Sequence, residues 1–156
     1  MDGTPALSDP RLGGVEHRMV RHRPVDSLEE AAELRGVAPS AVIKTMVVRR
    51  GDDDYLFVLV PGDRVISWVK LRRLLGVSRL SMPDAEHARD VTGYPRGTIT
   101  PLGSSRPWPV IADTRAVAEG LVSIGGGAHG VSITIDGRDL ARILEVRIAD
   151  VTDPAG

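Results

Sequence analysis

The stretch Ile43–Val60 reads IKTMVVRRGDDDYLFVLV. Ile43–Arg50 is rich in β-branched side chains, and Tyr55–Val60 is aromatic or aliphatic throughout. The polar GDDD between them turns the chain, so the two runs predict a β-hairpin. Both faces of the first run are apolar, the pattern of a strand covered on both sides. A hairpin of this kind inside a chain that also carries helices argues against regular βαβ alternation. It points to an α+β protein with a mixed, curved or barrel-like sheet and flanking helices.

Outward from the hairpin, the punctuation is clear. DSLEEAAELRG before it opens with a capping box, Ser27 with Glu30, and stops at Gly36. Ser67–Leu75 after it places Trp68, Leu71 and Leu75 on one helical face, with Gly76 beyond. PDAEHARDVTG begins with proline and ends with glycine, as short helices do. Val15–Val20, Ser78–Met82, Pro109–Asp113, Leu121–Ile124, Val131–Ile135 and Glu145–Val151 read as strands, and Thr114–Glu119 and GRDLARIL as brief helices. Residues 1–14, rich in Gly, Pro, Ser and Asp, read as a loose tail before a single domain over 15–152.

The composition bounds the chemistry. The chain has 156 residues, 42% hydrophobic and 26% charged, as in a globular protein with a real core. It lacks cysteine, which excludes disulfides, thiolate nucleophiles and cysteine-ligated metals and fits a cytoplasmic setting. No apolar run is long enough to span a bilayer, and the start has no secretory pattern, so no membrane partner is expected. Net charge is −1, yet His17–Arg23 (HRMVRHR) concentrates three arginines and two histidines, a stripe able to meet a phosphate backbone. The histidines at 17, 22, 87 and 129 match no zinc spacing, so neither metal nor cofactor is expected.

Two glycine-rich segments stand out. Thr92–Gly103, TGYPRGTITPLG, interrupts its glycines and prolines with Thr98, Ile99 and Thr100, which favour a strand. GGGAHG (Gly125–Gly130) fits the spacing G-x-G-x-x-G, but a β-branched run follows where a dinucleotide site needs a helix. Three successive glycines are entropically costly to order, which suggests close approach to the backbone or a moving loop. Lys44 is the other candidate. It shares a strand face with Met46 and Val48, and it is one of only two lysines among 20 basic residues. An ammonium in such surroundings calls for an anionic or carbonyl partner, or snorkels to water. No serine sits in a nucleophile elbow. A site of this kind works by positioning and by backbone N–H groups aimed at a carbonyl.

These pieces, in this order, resemble the YbaK/EbsC family, the domain also inserted in bacterial prolyl-tRNA synthetases. The likeness runs from about Val15 to Val151 through LRGV, VIKTMVV, VLVPGD, KLRRLLGV, TGYPRGTITPLG, VIAD, GGGAHGVSI, RDLARIL and IADV. The resemblance implies a freestanding, metal-independent aminoacyl-tRNA deacylase. Its substrate would be a mischarged tRNA, with tRNA(Pro) bearing cysteine, alanine or another small residue foremost. A non-catalytic module that binds aminoacyl-tRNA or a synthetase is the alternative. Lys44 and Gly97 match the family's catalytic positions. Thr98, Pro101, Gly103, Gly125, Gly126, Gly127, His129 and Ser132 fall where members bind substrate. Water is expected to be activated with help from the substrate's own ribose hydroxyl, which favours RNA over DNA. The implied partners are the aminoacylated tRNA 3′ end and prolyl-tRNA synthetase. Four residues depart from common family choices: Gly125 for serine, Ser132 for aspartate, His129 for arginine and Thr98 for glycine. All four fall around the expected pocket and leave the amino-acid specificity open.

Overall fold

The computed structural model describes residues 3–156. The predicted hairpin is its centre: β2 (Val42–Gly51) pairs antiparallel with β3 (Asp54–Pro61). The other strands are β1 (His17–Arg21), β4 (Arg64–Ile66), β5 (Val110–Asp113), β6 (Leu121–Gly125), β7 (Val131–Asp136), β8 (Arg147–Ala149) and β9 (Thr152–Pro154). Seven of them form one mixed sheet in the order β1-β7-β6-β2-β3-β5-β8, and β4 pairs with β9 in a separate two-stranded ribbon. The sheet is not a closed barrel, because β1 and β8 are its two free edges. The expectation of an α+β protein with a mixed sheet and flanking helices holds, and the sheet is open.

The hairpin is central because it is apolar on both faces. Phe57 and Leu59 enter one core cluster with Leu102, Ile124, Ile133 and Leu140. Leu56, Val58 and Val60, the alternate residues of the same strand, enter a second cluster with Val48, Leu71 and Val151. Each such side chain, taken fully out of water, contributes about 1.5–3 kcal/mol.

The helices follow their caps. α1 (Leu28–Arg35) starts where the Ser27 hydroxyl accepts the Glu30 N–H at 3.1 Å, and ends at Gly36 with φ +74°. α2 (Trp68–Leu75) and α3 (Ala85–Thr92) are capped by Ser67 and Asp84 and stopped by Gly76 and Gly93. α4 (Gly137–Leu144) is capped by Asp136 and ends at Glu145, a non-glycine residue with φ +51°.

Several expectations are corrected. Ser78–Met82 gives one isolated bridge, Arg49 with Ser81, instead of a strand. Thr114–Glu119 is a turn, since its six residues before Gly120 are too few to nucleate a helix. Thr98–Thr100 is irregular, the Thr98 N–H turning back to Pro95 O at 3.1 Å. The expected terminal strand Glu145–Val151 is shortened to β8, and β9 follows beyond its end.

The amino-terminal segment is not a loose tail, although Met1 and Asp2 lie outside the described residues. Ala6 and Leu12 are buried in the first core cluster. Asp9 caps a 3-10 turn over Pro10–Gly14, accepts both Arg11 groups and takes the Gly103 N–H at 2.8 Å. Composition suggested disorder, but two apolar anchors and one carboxylate bind the segment down.

Candidate active site

The two central strands of opposite halves of the sheet, β2 and β6, run parallel but touch through only two residue pairs, Val42 with Ser123 and Ile43 with Ile124. Beyond them the strands part. Lys44 is the first residue of β2 past the fork, and Gly125 ends β6 on the other branch. The loop from Gly97 to Ile99 crosses the opening, with the Ile99 carbonyl oxygen 3.7 Å from where a Gly125 Cβ would stand. A cavity of about 460 Å³ results, lined by Lys44, Gly97, Gly125, Arg35, Arg96 and apolar groups including Met82.

Lys44 lies on the sheet face shared by Val42, Met46 and Ser123, since parallel partners and alternate residues point the same way. It is half-buried, and its Nζ donates to the Arg64 carbonyl at 2.7 Å. Burial pushes its ammonium below the ordinary lysine value, with the charge of Asp63 working in the opposite direction. The accepting carbonyl is itself held in place. Arg64 Nε donates to Thr152 Oγ1 at 2.7 Å, and that hydroxyl donates to the fully buried Asp113 at 3.0 Å. Asp113 also accepts the Val151 and Arg115 N–H groups. The sequence marks Asp113 only as the end of a strand. Its actual place, under the ribbon that faces Lys44, depends on a β4–β9 pairing with no sequence signal.

A second cavity of about 470 Å³ adjoins the first and shares Arg35, Gly97, Ile99 and Gly125 with it. His22, Thr98 and His129 line its own walls. Gly97 has φ +89°, and a Cβ there would lie 3.1 Å from His129 Cε1. Some backbone donors around the opening are already taken. Thr98 N–H goes to Pro95 and Gly126 N–H to Val131 at 2.9 Å, whereas the Gly97 N–H has no partner among the described residues. The free Gly97 N–H, in the wall of both cavities, is therefore open to an oxyanion.

The other predicted site residues are elsewhere. Pro101 lines a separate cavity beside Trp108 and accepts from Arg11 at 3.4 Å. Gly103 packs against the amino-terminal segment, where an added Cβ would stand 2.3 Å from the Pro5 carbonyl. Gly126 accepts the Thr4 hydroxyl at 2.5 Å, and Gly127 lies against Tyr94 and Thr4. Ser132 is fully buried opposite Gly125 in the ladder, with its Oγ unpartnered. Of the arginine stripe, Arg18 and Arg21 lie on the edge strand β1, while Arg23 pairs with Glu30. Among the described residues no group of three or more His, Cys, Asp or Glu is placed to hold a metal ion, and no helix is long and apolar enough to cross a membrane. Arg35 was missed: at a helix end its charge reads as ordinary dipole complement.

Comparisons with known proteins bear on the same region. The profile of the aminoacyl-tRNA editing domain matches residues 22–143. A proline–tRNA ligase of Heliobacterium modesticaldum is 35% identical over 132 residues, covering 82% of this chain and 23% of the ligase. The corresponding ligase of Desulfovibrio desulfuricans is 35% identical over 116 residues, covering 74% of the chain and 19% of the ligase. The chain thus spans about a quarter or less of these relatives. Among solved structures, a crystal structure proposed to be a trans-editing enzyme for prolyl-tRNA synthetase superposes with a TM-score of 0.81 at 23% identity, covering 94% of this chain and 97% of that one. A hypothetical protein, APE2540, superposes at 0.80 with 26% identity, over 92% and 95% of the two chains.

Proposed function

We propose that this chain, which belongs to the aminoacyl-tRNA editing-domain family, hydrolyses the ester of a mischarged tRNA in trans, with tRNA(Pro) carrying alanine, cysteine or another small residue as substrate. The observation that carries this reading is the forked cavity. Lys44, Gly97 and Gly125, far apart in sequence, line one space together with Arg35 and Arg96, and no carboxylate lines it. A cleft of cations without acids suits a polyanion.

The chemistry is simple to balance. Water adds to the acyl carbon, the bond to the ribose oxygen breaks, and that oxygen takes up a proton, leaving free amino acid and tRNA. The free Gly97 N–H would stabilise the negative oxygen of the tetrahedral intermediate. Lys44, fixed by the Arg64 carbonyl, would hold the substrate's acyl end. No side chain in the cavity is a carboxylate base, so the ribose hydroxyl next to the ester is the nearest proton carrier for the attacking water. The apolar wall at Met46, Val47 and Met82 suits a small, uncharged amino-acid side chain. The relation to proline–tRNA ligases favours tRNA(Pro) and makes the synthetase a partner to test.

Incubation of the protein with a panel of mischarged tRNAs tests the reading. Ester loss from alanyl- or cysteinyl-tRNA(Pro), and none from prolyl-tRNA(Pro), is the expected result. Salt-sensitive binding without ester loss would instead favour a non-catalytic module, a reading suggested by the absence of a carboxylate base.

A further inference from the structure

Arg35 is a partly buried cation without a carboxylate partner among the described residues. Arg11, Arg50, Arg106 and Arg115 each meet a carboxylate, and Arg64 is tied to Thr152. Arg35 has one long hydrogen bond, from its Nη1 to Ser123 Oγ at 3.4 Å. Its Nε is buried without a partner. It stands in the wall common to the two cavities, and neither cavity has an acidic residue in its lining. The helix dipole at the end of α1 favours a positive charge there, but it does not require a guanidinium held half out of water with its Nε unpaired. A desolvated guanidinium has a cost that a bound anion removes.

Resting on the function proposed above, we infer that Arg35 is the anchor for the phosphate on the 5′ side of the terminal nucleoside. The reasoning is chemical. An amino acid joined through its carboxyl to ribose has no free carboxylate, so the only anions near the ester are phosphates. Guanidinium is the side chain whose planar fork matches two phosphate oxygens at once. Lys44 already has a carbonyl partner, and it lines the same cavity as Gly97. The labour is thereby divided: Arg35 fixes the strand across the wall between the cavities, and Lys44 attends to the acyl end. Burial, which lowers the guanidinium's proton affinity with no neighbouring charge to oppose it, agrees with a site waiting for a negative group.

The test compares ligands that differ only by that phosphate. In calorimetric titrations the wild-type protein should bind adenosine 5′-monophosphate about tenfold or more tightly than adenosine. Arg35→Met keeps the apolar stem and should abolish this preference while leaving adenosine affinity unchanged. Arg35→Lys should keep part of it. In turnover, Arg35→Met should lower kcat/KM about tenfold to a hundredfold for 3′-aminoacyl-adenosine 5′-monophosphate. The same variant should lower kcat/KM for the unphosphorylated 3′-aminoacyl-adenosine far less. Equal losses on both substrates, or no phosphate preference in the wild type, would overturn the inference. A wild-type protein that hydrolyses neither ester yet prefers the phosphorylated nucleoside would defeat the deacylase reading and leave the anchor standing. Thermal melts of both variants separate misfolding from loss of contact.

Discussion

Gly97 and Gly103 lie in the same loop, both with positive φ, +89° and +66°. Their surroundings are opposite. The Gly103 N–H is held by Asp9, and the space its Cβ would need is filled by the Pro5 backbone. The Gly97 N–H is free, and the nearest atom to its missing Cβ is the tip of the His129 ring. One half of the loop is committed to the fold, and the other is left open to the cleft. A glycine's residue type does not say which of these it does. Whether its N–H and its vacant side are already taken does.

The contrast can be broken by substitution. The largest effect belongs to the open side. Lys44→Ala should reduce deacylation of mischarged tRNA by about a hundredfold to a thousandfold, measured as ester half-life. It should cost the fold only about 1 kcal/mol, for one hydrogen bond. Full activity in that variant would remove Lys44 from the site. Gly103→Ala should do the reverse. Backbone cannot yield to a Cβ at 2.3 Å, so a loss of about 3 kcal/mol is expected in urea unfolding, with the folded fraction still active. Gly97→Ala meets only a mobile ring, so about 1 kcal/mol of backbone strain is expected. Its deacylation should fall about tenfold. Equal stability losses at the two glycines would erase the distinction drawn here.

The smallest effect sharpens the committed side. Burial alone would raise the Asp9 carboxyl, but the Arg11 side chain and backbone, the Gly103 N–H and the Arg11 charge together hold it down at about 2. A depressed folded value means the carboxylate stabilises the fold above the unfolded value near 3.8, and that contribution disappears as pH falls toward 2. Asp9→Asn should therefore lose about 1 kcal/mol at neutral pH, and the gap from wild type should close in acid. Unfolding midpoints at pH 7, 4 and 2 check this.

Much of the frame was legible in local chemistry. Ser27, Ser67 and Asp84 cap, and Gly36, Gly76 and Gly93 stop, three of the four helices where the sequence places them. The unbroken apolar run Tyr55–Val60 announces a strand buried on both sides. Lys44 was conspicuous because its neighbours are apolar. What escaped notice depends on long-range placement. The ribbon of β4 and β9 is too short for periodicity to register. Pro101 and Gly103 read as cleft because nothing local reveals that residues 5–11 cover them. Arg35 looked like any helix-end arginine until its surroundings were seen to contain no acid.

The first strand has a practical bearing. β1 lies before residue 22, where the editing-domain match begins, and it pairs along five residues of β7. A fragment trimmed to the matched boundary would bare the β7 ladder and strip the cover supplied by Ala6 and Leu12. Such a product should self-associate through its raw margin, so poor solubility of a shortened version would speak about the cut and not about the whole chain.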